Sequence, residues 1–550
     1  MLTAIFLVSI LLFTVAFFTY GRFLERRFDI DDQRETPSHT DYDGVDRVPA
    51  HPSVLFGHHF SSIAGAGPIV GPIIAAVAFG WAAPLVWILT GAIFVGGVHD
   101  FSALVASVRN RGRSIADIAR ESMSPLAYRL LLLFMWLALV YVLAVFTDLT
   151  ATTFVQDGGV ATSSGMFVVL AIGFGLCINR FKIPVLWATL VFVPLVFLAT
   201  WAGQLLPISS TWIESTLGAS PAKFWSVLLI VYCFVASVTP VWILLQPRDY
   251  LSSFLLYASM LLGLVGILFG GFEVHFPAFI TWDAPGVGPL FPIVFITVAC
   301  GACSGFHSLV ASGTSSKQLD KETHARTVGY GGMLVEGLVA VIALGTVMML
   351  AADDPLRNQP PLTVYGKGIS RFAAVVGIPP ELGFSFGLLA LSTFILTTLD
   401  TATRLGRYIF EEFFQLRAQR ARYLATLGTL VLPTVFALIT LKDAQGQPIP
   451  AWKAIWPVFG ATNQLLAGLT LLVLAVWLRK LGKRIGFVVG PLVFMTVATL
   501  YALVLLIQQY GLSAIGIIAL VLTVMALLLI VEAARTVRFG KKTADSTGPS

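Results

Sequence analysis

The chain has 550 residues, of which 57% are hydrophobic and only 12% are charged, and its mean hydropathy is +0.85. A soluble domain carries about 25% charged residues, and a transmembrane β-barrel needs alternating strands of about ten residues. The unbroken apolar runs of about twenty residues exclude both classes and predict an all-α polytopic membrane protein. The formal charge of +6 is explained by the placement of the basic residues, and no stretch resembles a nucleic-acid module.

Fifteen apolar segments can be placed with a membrane-length window. Residues 1–20 lack a basic n-region and a cleavage site, so we interpret them as the first span and not as a signal peptide. The segments run 3–20, 54–79, 82–108, 127–147, 163–178, 184–204, 223–245, 251–271, 288–312, 328–351, 380–402, 422–441, 454–478, 485–508 and 512–533.

The basic residues predict the orientation, because cytoplasmic loops are enriched in Lys and Arg. With the loop after the first segment placed in the cytoplasm, all but six of the 35 Lys and Arg residues fall on the cytoplasmic side. The N-terminus is then outside and the C-terminus inside. The six exceptions are Lys223, Arg357, Lys367, Arg371, Lys442 and Lys453.

Three polar inserts interrupt the apolar pattern. The loop Gly21–Ser53 mixes arginines with aspartates, and we expect it to be solvated and disordered. The insert Ala352–Pro379 faces outside and is either a partial lid or a connector. The tail Gly540–Ser550 is a polar terminus.

The second segment contains GHHFSSIAGAGPIVGP, residues 57–72. Proline removes a backbone donor, and glycine costs about 1 kcal/mol against alanine in a helix. A continuous membrane helix would not choose this composition, whereas a helix broken at a transport site would. The alternative is a tight helix–helix contact through small residues. On the first interpretation the substrate meets the backbone at Gly65, Ala66, Gly67, Pro68 and Gly71.

This stretch resembles the signature of the carbon starvation protein A (CstA) family of bacterial membrane transporters. Further matching stretches are QPRDYLSSF from Gln246, CGACSGFHSLVASGTSSKQL from Cys300, RTVGYGGMLVEG from Arg326, LTTLDTATR from Leu396 and FGATNQLLAG from Phe459. The resemblance covers residues 54 to 470. One departure is Cys303, where an aliphatic residue is expected.

The resemblance implies the amino-acid–polyamine–cation type of fold, with a core of two five-helix inverted repeats. The segment count admits this, because an odd number of helices per repeat inverts the second copy. The expected division is a first helix and loop (1–53), a first repeat (54–204), a second repeat (205–421), and additional helices with a cytoplasmic tail (422–550).

Each repeat should open with a broken helix. The segment 223–245 would supply the second one through SVTPVWILLQP. We therefore place Thr239 and Pro240 at the substrate site as well.

Few ionisable side chains lie inside the spans, where they usually face a cavity or pair with each other. His58 and His59 lie at the entry of the second segment, and either take part in a proton-coupled step or orient the broken helix. By analogy with the superfamily, Ser304, His307 and Ser308 line an ion path on one helical face. The alternative is a buried histidine satisfied by its helix neighbours.

Glu336 has no basic partner within its own segment and is therefore a candidate proton relay. Asp100 and Asp400 are expected to pair with the nearby Arg109 and Arg404.

Four other polar groups have structural interpretations. Arg248 and Asp249 are expected in a short cytoplasmic turn that carries a salt bridge or gate contact, the alternative being that they hold a substrate carboxylate at the inner vestibule. Asn463 and Gln464 are expected to hold helices together.

No cofactor is predicted. Cys300 and Cys303 form a CxxC, but no second cluster completes a metal site. No catalytic or nucleotide-binding motif is present, so we expect neither an enzyme nor ATP-driven transport.

The hypothesis is a secondary transporter of the bacterial inner membrane. Its expected partners are a peptide or a pyruvate-like carboxylate as substrate, a proton or sodium ion, and the membrane lipid around it. The alternative is a membrane sensor that binds the same ligand without moving it.

Overall fold

A computed structural model describes residues 1–44, 47–240, 242–416, 418, 420–439, 441–442 and 448–544. The last six residues of the predicted polar tail lie outside the described residues. So do Asp46 in the first loop and Val241 beside the expected second break.

The described chain is helical nearly throughout, because apolar segments in a membrane must satisfy their backbone groups internally. The helices of the first half are α1 (Leu2–Phe18), α2 (Tyr20–Phe28), α3 (Pro37–Thr40), α4 (Pro52–Ile63), α5 (Gly67–Phe79), α6 (Ala82–Gly91), α7 (Gly97–Arg109), α8 (Ile115–Ser122), α9 (Pro125–Gln156), α10 (Gly158–Asn179), α11 (Val185–Leu205), α12 (Ser210–Leu217), α13 (Pro221–Val238) and α14 (Leu245–Phe269).

The helices of the second half are α15 (Leu290–Thr297), α16 (Gly305–Gly313), α17 (Gly332–Met348), α18 (Pro361–Ala374), α19 (Pro380–Phe413), α20 (Ala421–Leu438), α21 (Ala451–Lys480), α22 (Gly486–Tyr510) and α23 (Ala514–Ala544). Two π-helical turns, Ala92–Gly96 and Arg326–Gly331, lead into α7 and α17, and 3₁₀ turns occur at Ser315–Lys317 and Pro355–Asn358. The strands form two short hairpins, β1 (Asp283–Ala284) with β2 (Gly288–Pro289), and β3 (Leu441–Lys442) with β4 (Pro448–Ile449).

Thirteen helices of the described residues are long and apolar enough to cross a membrane. The pair α4 and α5 adds a broken span, bent by 45°. The pair α15 and α16 is interrupted over residues 298–304 and fills the place of the predicted segment 288–312. The predicted polytopic helical architecture is therefore confirmed.

The loops predicted to share the basic side do meet at one end of the bundle, which we call the basic face. Glu322, before α17, contacts Arg109 at the end of α7 at 2.9 Å and Arg34 of the first loop at 3.2 Å. Lys483, before α22, pairs with Asp29. Four of the loops that the sequence assigns to the cytoplasmic side therefore lie together at one end of the bundle.

The loop of residues 21–53 is ordered over its described part, which corrects the expectation of disorder. The Ser38 hydroxyl donates to the Leu319 carbonyl at 3.0 Å, and Ala50 forms a parallel β-bridge with Leu319. The Asp31 amide donates to Glu322 at 3.1 Å. Polar composition misled here, because these polar groups have partners almost 300 positions away in the chain.

The two broken spans enter the bundle from opposite ends, as inversion requires. The long helices α9 and α19 pack against each other. The helix α13 packs on α9, α19 and α20, and α20 packs on α19, α9 and α13. A second pair of helices matches in the same way: α14 packs on α4, α18 and α19, and its counterpart α21 packs on α16, α8 and α9. In this comparison α4 corresponds to α16, α18 to α8, and α19 to α9.

The division at residues 54–204 and 205–421 stays a prediction. The reciprocal packing favours a different one, in which α13 and α14 close the first repeat and the α10–α11 hairpin is an insertion. The second repeat then runs from α15 to α21.

The second broken helix is not where the sequence predicted it. The segment 223–245 is a complete helix that ends at Val238, with Thr239 in extended conformation as its C-cap. Proline at 240 disfavours the helical conformation of the residue before it and so ends the helix. The turn that follows is also apolar, so the hydropathy window extended the segment beyond the end of the helix. The prediction therefore took a reversal of the chain for a break within one span.

The orientation can be tested with single cysteines at exposed positions on the two ends. Tyr42 is 63% exposed on the basic face, and Leu512 is 91% exposed on the opposite end. In a Cys177→Ser background, whose other cysteines are buried, we expect Tyr42→Cys to react with an impermeant maleimide only after permeabilisation. Leu512→Cys should react in intact cells, and the reverse pattern would contradict the orientation.

Candidate functional site

The first break lies within the predicted glycine- and proline-rich stretch. The helix α4 ends at Ile63, and α5 begins at Gly67 with Pro68 in its first turn. Between them the Gly65 amide donates to the Ile63 carbonyl at 2.8 Å, a tight turn that replaces the helical bond. Proline at 68 has no amide hydrogen to restore the helical ladder.

Two glycines of this stretch serve close packing against the second break. A Cβ atom at Gly67 would overlap Cys300, and one at Gly71 would overlap the Thr297 carbonyl oxygen. From the other side of the contact, a Cβ atom at Gly301 would lie 3.5 Å from the Cα atom of Pro68. These distances support the packing interpretation for Gly67 and Gly71, because neither glycine borders an open space.

Gly65 is also closely packed, since a Cβ atom there would lie 2.8 Å from Phe146 and from Thr398, but it borders a small cavity between the two breaks. The wall is completed by residues of both broken helices and of α9, α19 and α21, namely Ile63, Val142, Phe146, Cys300, Phe306, Thr398 and Phe459. Its volume is about 10 Å³, which is about the room that one water molecule needs. In this conformation the breaks are therefore closed around a space too small for a nutrient.

The second break is held by side chains of neighbouring helices. The Asn463 side-chain oxygen of α21 accepts from the Phe306 amide at 3.0 Å and from the Ser304 hydroxyl at 3.2 Å. The Ser308 hydroxyl lies 3.1 Å from that of Thr470, also on α21. The bond to Phe306 satisfies an amide hydrogen that the start of a helix leaves unpaired.

Two further bonds hold the carbonyl side of the second break. The Trp87 indole donates to the Val298 carbonyl at 3.1 Å, and the Gln464 amide donates to the Phe295 carbonyl at 3.0 Å. Asn463 and Gln464 thus join helices, as the sequence predicts.

A buried histidine on α16 bridges two carboxylates from different helices. His307 Nδ1 lies 2.7 Å from Asp100 Oδ2 of α7, and its Nε2 lies 3.1 Å from Glu336 Oε2 of α17. The other Asp100 oxygen lies 2.7 Å from His99 Nδ1. All four side chains are fully buried. We call Asp100, His307 and Glu336 the carboxylate–imidazole trio.

The trio corrects two expectations. Ser304 and Ser308 face α21, whereas His307 faces α7 and α17, so the three residues do not line one path. Asp100 pairs with histidines and not with Arg109, which binds Glu322 instead. The contacts of His307 with Asp100 and Glu336 have no signal in the local sequence, because these groups meet only when α7, α16 and α17 pack together. His99, by contrast, directly precedes Asp100 in the chain.

The adjacent histidines of α4 have separate partners. His59 is fully buried, and its Nδ1 lies 2.8 Å from the Ser315 hydroxyl. His58 Nδ1 lies 3.4 Å from Asp249 Oδ2 of α14. The two histidines therefore link the first broken helix to two different neighbours.

A second buried charge cluster joins α14 to α19. Arg248 pairs with Asp400 and donates to the Tyr232 hydroxyl at 2.9 Å and to the Leu396 carbonyl at 3.1 Å. Tyr232 in turn donates to Asp400 at 2.8 Å. Arg248 is therefore not in an exposed turn, and Asp400 does not pair with Arg404. Because an arginine stays charged, this cluster is suited to holding helices and not to exchanging protons.

Thr239 and Pro240 lie on the basic face, outside the pair of breaks. They border a surface pocket with Arg404 and Arg407 of α19. Thr239 donates its hydroxyl hydrogen to the Val235 carbonyl of its own helix at 2.7 Å. Of the residues that the sequence predicts for the site, those around Gly65, Cys300 and His307 come together at the two breaks. Thr239 and Pro240 lie elsewhere, at the surface pocket.

These features define a class: a multi-pass membrane transporter whose core is a pair of inverted repeats opened by broken helices. A solved structure, MhsT in complex with L-phenylalanine, shares this fold with a TM-score of 0.50 and 12% identity, over 88% of this chain and 99% of that one. The predicted fold class is thereby confirmed.

The chain belongs to the carbon starvation protein CstA family, whose model matches residues 2–377 and 355–502. The peptide transporter CstA of Campylobacter jejuni is 31% identical over 572 residues, covering 92% of this chain and 81% of that protein. The pyruvate/proton symporter BtsT of Escherichia coli is 30% identical over 582 residues, covering 90% and 80%. The chain is accordingly a transporter and not an enzyme.

The packing role of Gly67 can be tested by adding one methyl group. Gly67→Ala should lower the free energy of unfolding by about 1–3 kcal/mol through overpacking against Cys300. The matched control is Gly490→Ala in α22, where a Cβ atom meets nothing within 4 Å and no loss is expected.

Thermal unfolding of the purified variants is the measurement. Cys300→Gly removes the obstructing side chain, so the double variant should lose less stability than the two single losses added together. Additive losses would show that Gly67 does not pack on Cys300.

Proposed function

We propose that this protein is a proton-coupled secondary transporter that takes up a small nutrient carboxylate, a peptide or pyruvate, across the bacterial inner membrane during carbon limitation. Its N-terminus would be outside and its C-terminus in the cytoplasm. The observation that carries the coupling is the carboxylate–imidazole trio, which is buried within the membrane-spanning part of the bundle.

The trio is suited to carry a proton because its charges do not balance without one. Two carboxylates share the imidazole of His307, and only Asp100 has a second imidazole, that of His99, beside it. Apart from the 3.1 Å contact with His307, the Glu336 oxygens have no hydrogen-bond donor among the described residues. An ionised carboxylate without such bonds is costly to bury. A proton held between His307 and Glu336 relieves that cost, and histidine exchanges protons near neutral pH.

The trio is also placed to act on the second break. His307 follows Phe306, which lines the cavity, and its partners lie on α7 and α17. Each of these helices is preceded by a π-helical turn, a feature that is frequent at functional sites. A change of protonation would therefore alter how firmly α16 is held to its neighbours.

The substrate site is proposed at the cavity beside Gly65. The helix α5 begins at this break, and the start of a helix favours an anion through its unpaired amide groups and its dipole. Peptides and pyruvate both carry a carboxylate. The first turn of α16 is already occupied by Asn463, so we assign the carboxylate to the α5 side, near Ala66 and Gly67. The cavity must open for binding, which requires the two broken helices to separate.

The function can be tested by counterflow in proteoliposomes. Vesicles loaded with unlabelled pyruvate, or with a di- or tripeptide, should take up the same labelled compound from outside. Binding without counterflow would identify a sensor, and neither binding nor counterflow with any of these compounds would contradict the proposed substrate class.

The coupling role can be tested at Glu336. In Glu336→Gln the trio loses its exchangeable carboxylate, so a proton gradient should no longer drive accumulation above the external concentration, while counterflow continues. The matched control is Glu381→Gln, which removes an exposed carboxylate at the start of α19 and should leave both activities unchanged. Accumulation that follows a sodium gradient and ignores the proton gradient would overturn proton coupling.

A further inference from the structure

A pocket of about 430 Å³ opens on the basic face, where α13 ends and where Leu416 and Ala418 lie between α19 and α20. Its charged lining consists of Arg404, Arg407 and Arg422 together with Glu411. The proposed transport site uses none of these four residues.

Two of the arginines are held rigidly at the end of α13. Arg404 donates to the carbonyls of Ala236 at 2.7 Å and Thr239 at 2.8 Å, and Arg407 donates to that of Ser237 at 2.6 Å. Their side chains are only 8% and 7% exposed. These bonds cap the last turn of α13. Capping alone is a structural explanation for the presence of two arginines at this position.

The capping bonds leave part of each guanidinium group unused. The Nε–H groups of Arg404 and Arg407 are buried and have no hydrogen-bond partner among the described residues. Glu411 Oε1 lies 3.8 Å from Arg407 Nε, too far for a hydrogen bond. A buried donor without a partner is costly. Helix capping therefore does not account for the whole of the two guanidinium groups, and the pocket lacks an acceptor for their Nε–H groups.

The charge of the lining indicates the missing partner. Three arginines and one glutamate leave an excess of two positive charges among the described lining residues. Guanidinium groups match phosphate oxygens in charge and geometry. Arg422 is exposed on α20, so it can approach an anion that the two buried arginines hold from inside the pocket.

We propose that this pocket binds a phosphate group. The pocket lies at the end of α13, a helix long and apolar enough to cross a membrane, so the phosphate can belong to an anionic phospholipid or to a solute. In both cases the anion would connect α13, α19 and α20 at the turn that leads into α14.

Arg422 provides the informative variant. Among the described residues its side chain donates one hydrogen bond, to Tyr423, so its loss leaves the cap of α13 intact. Arg422→Gln should weaken phosphate binding about tenfold, the effect of losing one charge-assisted hydrogen bond. The matched control is Arg420→Gln, two residues away and outside the pocket lining, which removes the same charge.

The full-length protein would be examined in two arms. In the first, native mass spectrometry measures phosphatidylglycerol retained from nanodiscs of phosphatidylglycerol and phosphatidylcholine. In the second, inorganic phosphate is titrated into protein in phosphatidylcholine nanodiscs, and Tm is compared with that in chloride at equal ionic strength.

Retention of phosphatidylglycerol that is reduced by Arg422→Gln but not by Arg420→Gln would support the site with a lipid as its source. Stabilisation by inorganic phosphate that is reduced by Arg422→Gln but not by Arg420→Gln would support a site that takes its phosphate from a solute. The proposal is overturned if neither arm shows binding, or if both variants lose binding equally, which would indicate unspecific attraction to a basic surface.

Discussion

The core depends on the close approach of two interrupted helices in a medium without water. Backbone groups freed at a break must find partners within the protein. Gly67 and Gly71 allow the first break to lie directly against Cys300 and Thr297, and Asn463 satisfies the amide at the start of α16. The breaks thus stabilise each other, since each fills the space that the other leaves.

Two buried charge clusters flank this contact, and they differ in what they can do. Arg248 and Asp400 form a pair in which the cation is permanent, so the bond persists as long as the helices stay in place. The carboxylate–imidazole trio has no permanent cation, and its total charge depends on the number of protons that it holds. The first cluster is suited to a fixed part of the bundle, whereas the second can change its charge, which is what the proposed coupling role requires.

The sequence predicted those parts of the structure whose cause is local. Glycine and proline between residues 65 and 72 indicated the first break, and the basic residues indicated how the loops alternate. The second break was missed because CGACSG contains no proline, whereas Pro240 marked a chain reversal that hydropathy alone merged into one segment. The pairing of Asp100 with His307 and that of Asp400 with Arg248 could not be predicted, since the members of each pair lie more than 150 positions apart in the chain.

The size of the space between the breaks has a consequence for the cell's energy supply. Protons cross a membrane along continuous files of hydrogen-bonded water, and room for about one molecule does not form such a file. The closed cavity beside Gly65 therefore offers protons no continuous file of water between the two broken helices. An idle carrier in this conformation would not act as an uncoupler through the space between its breaks.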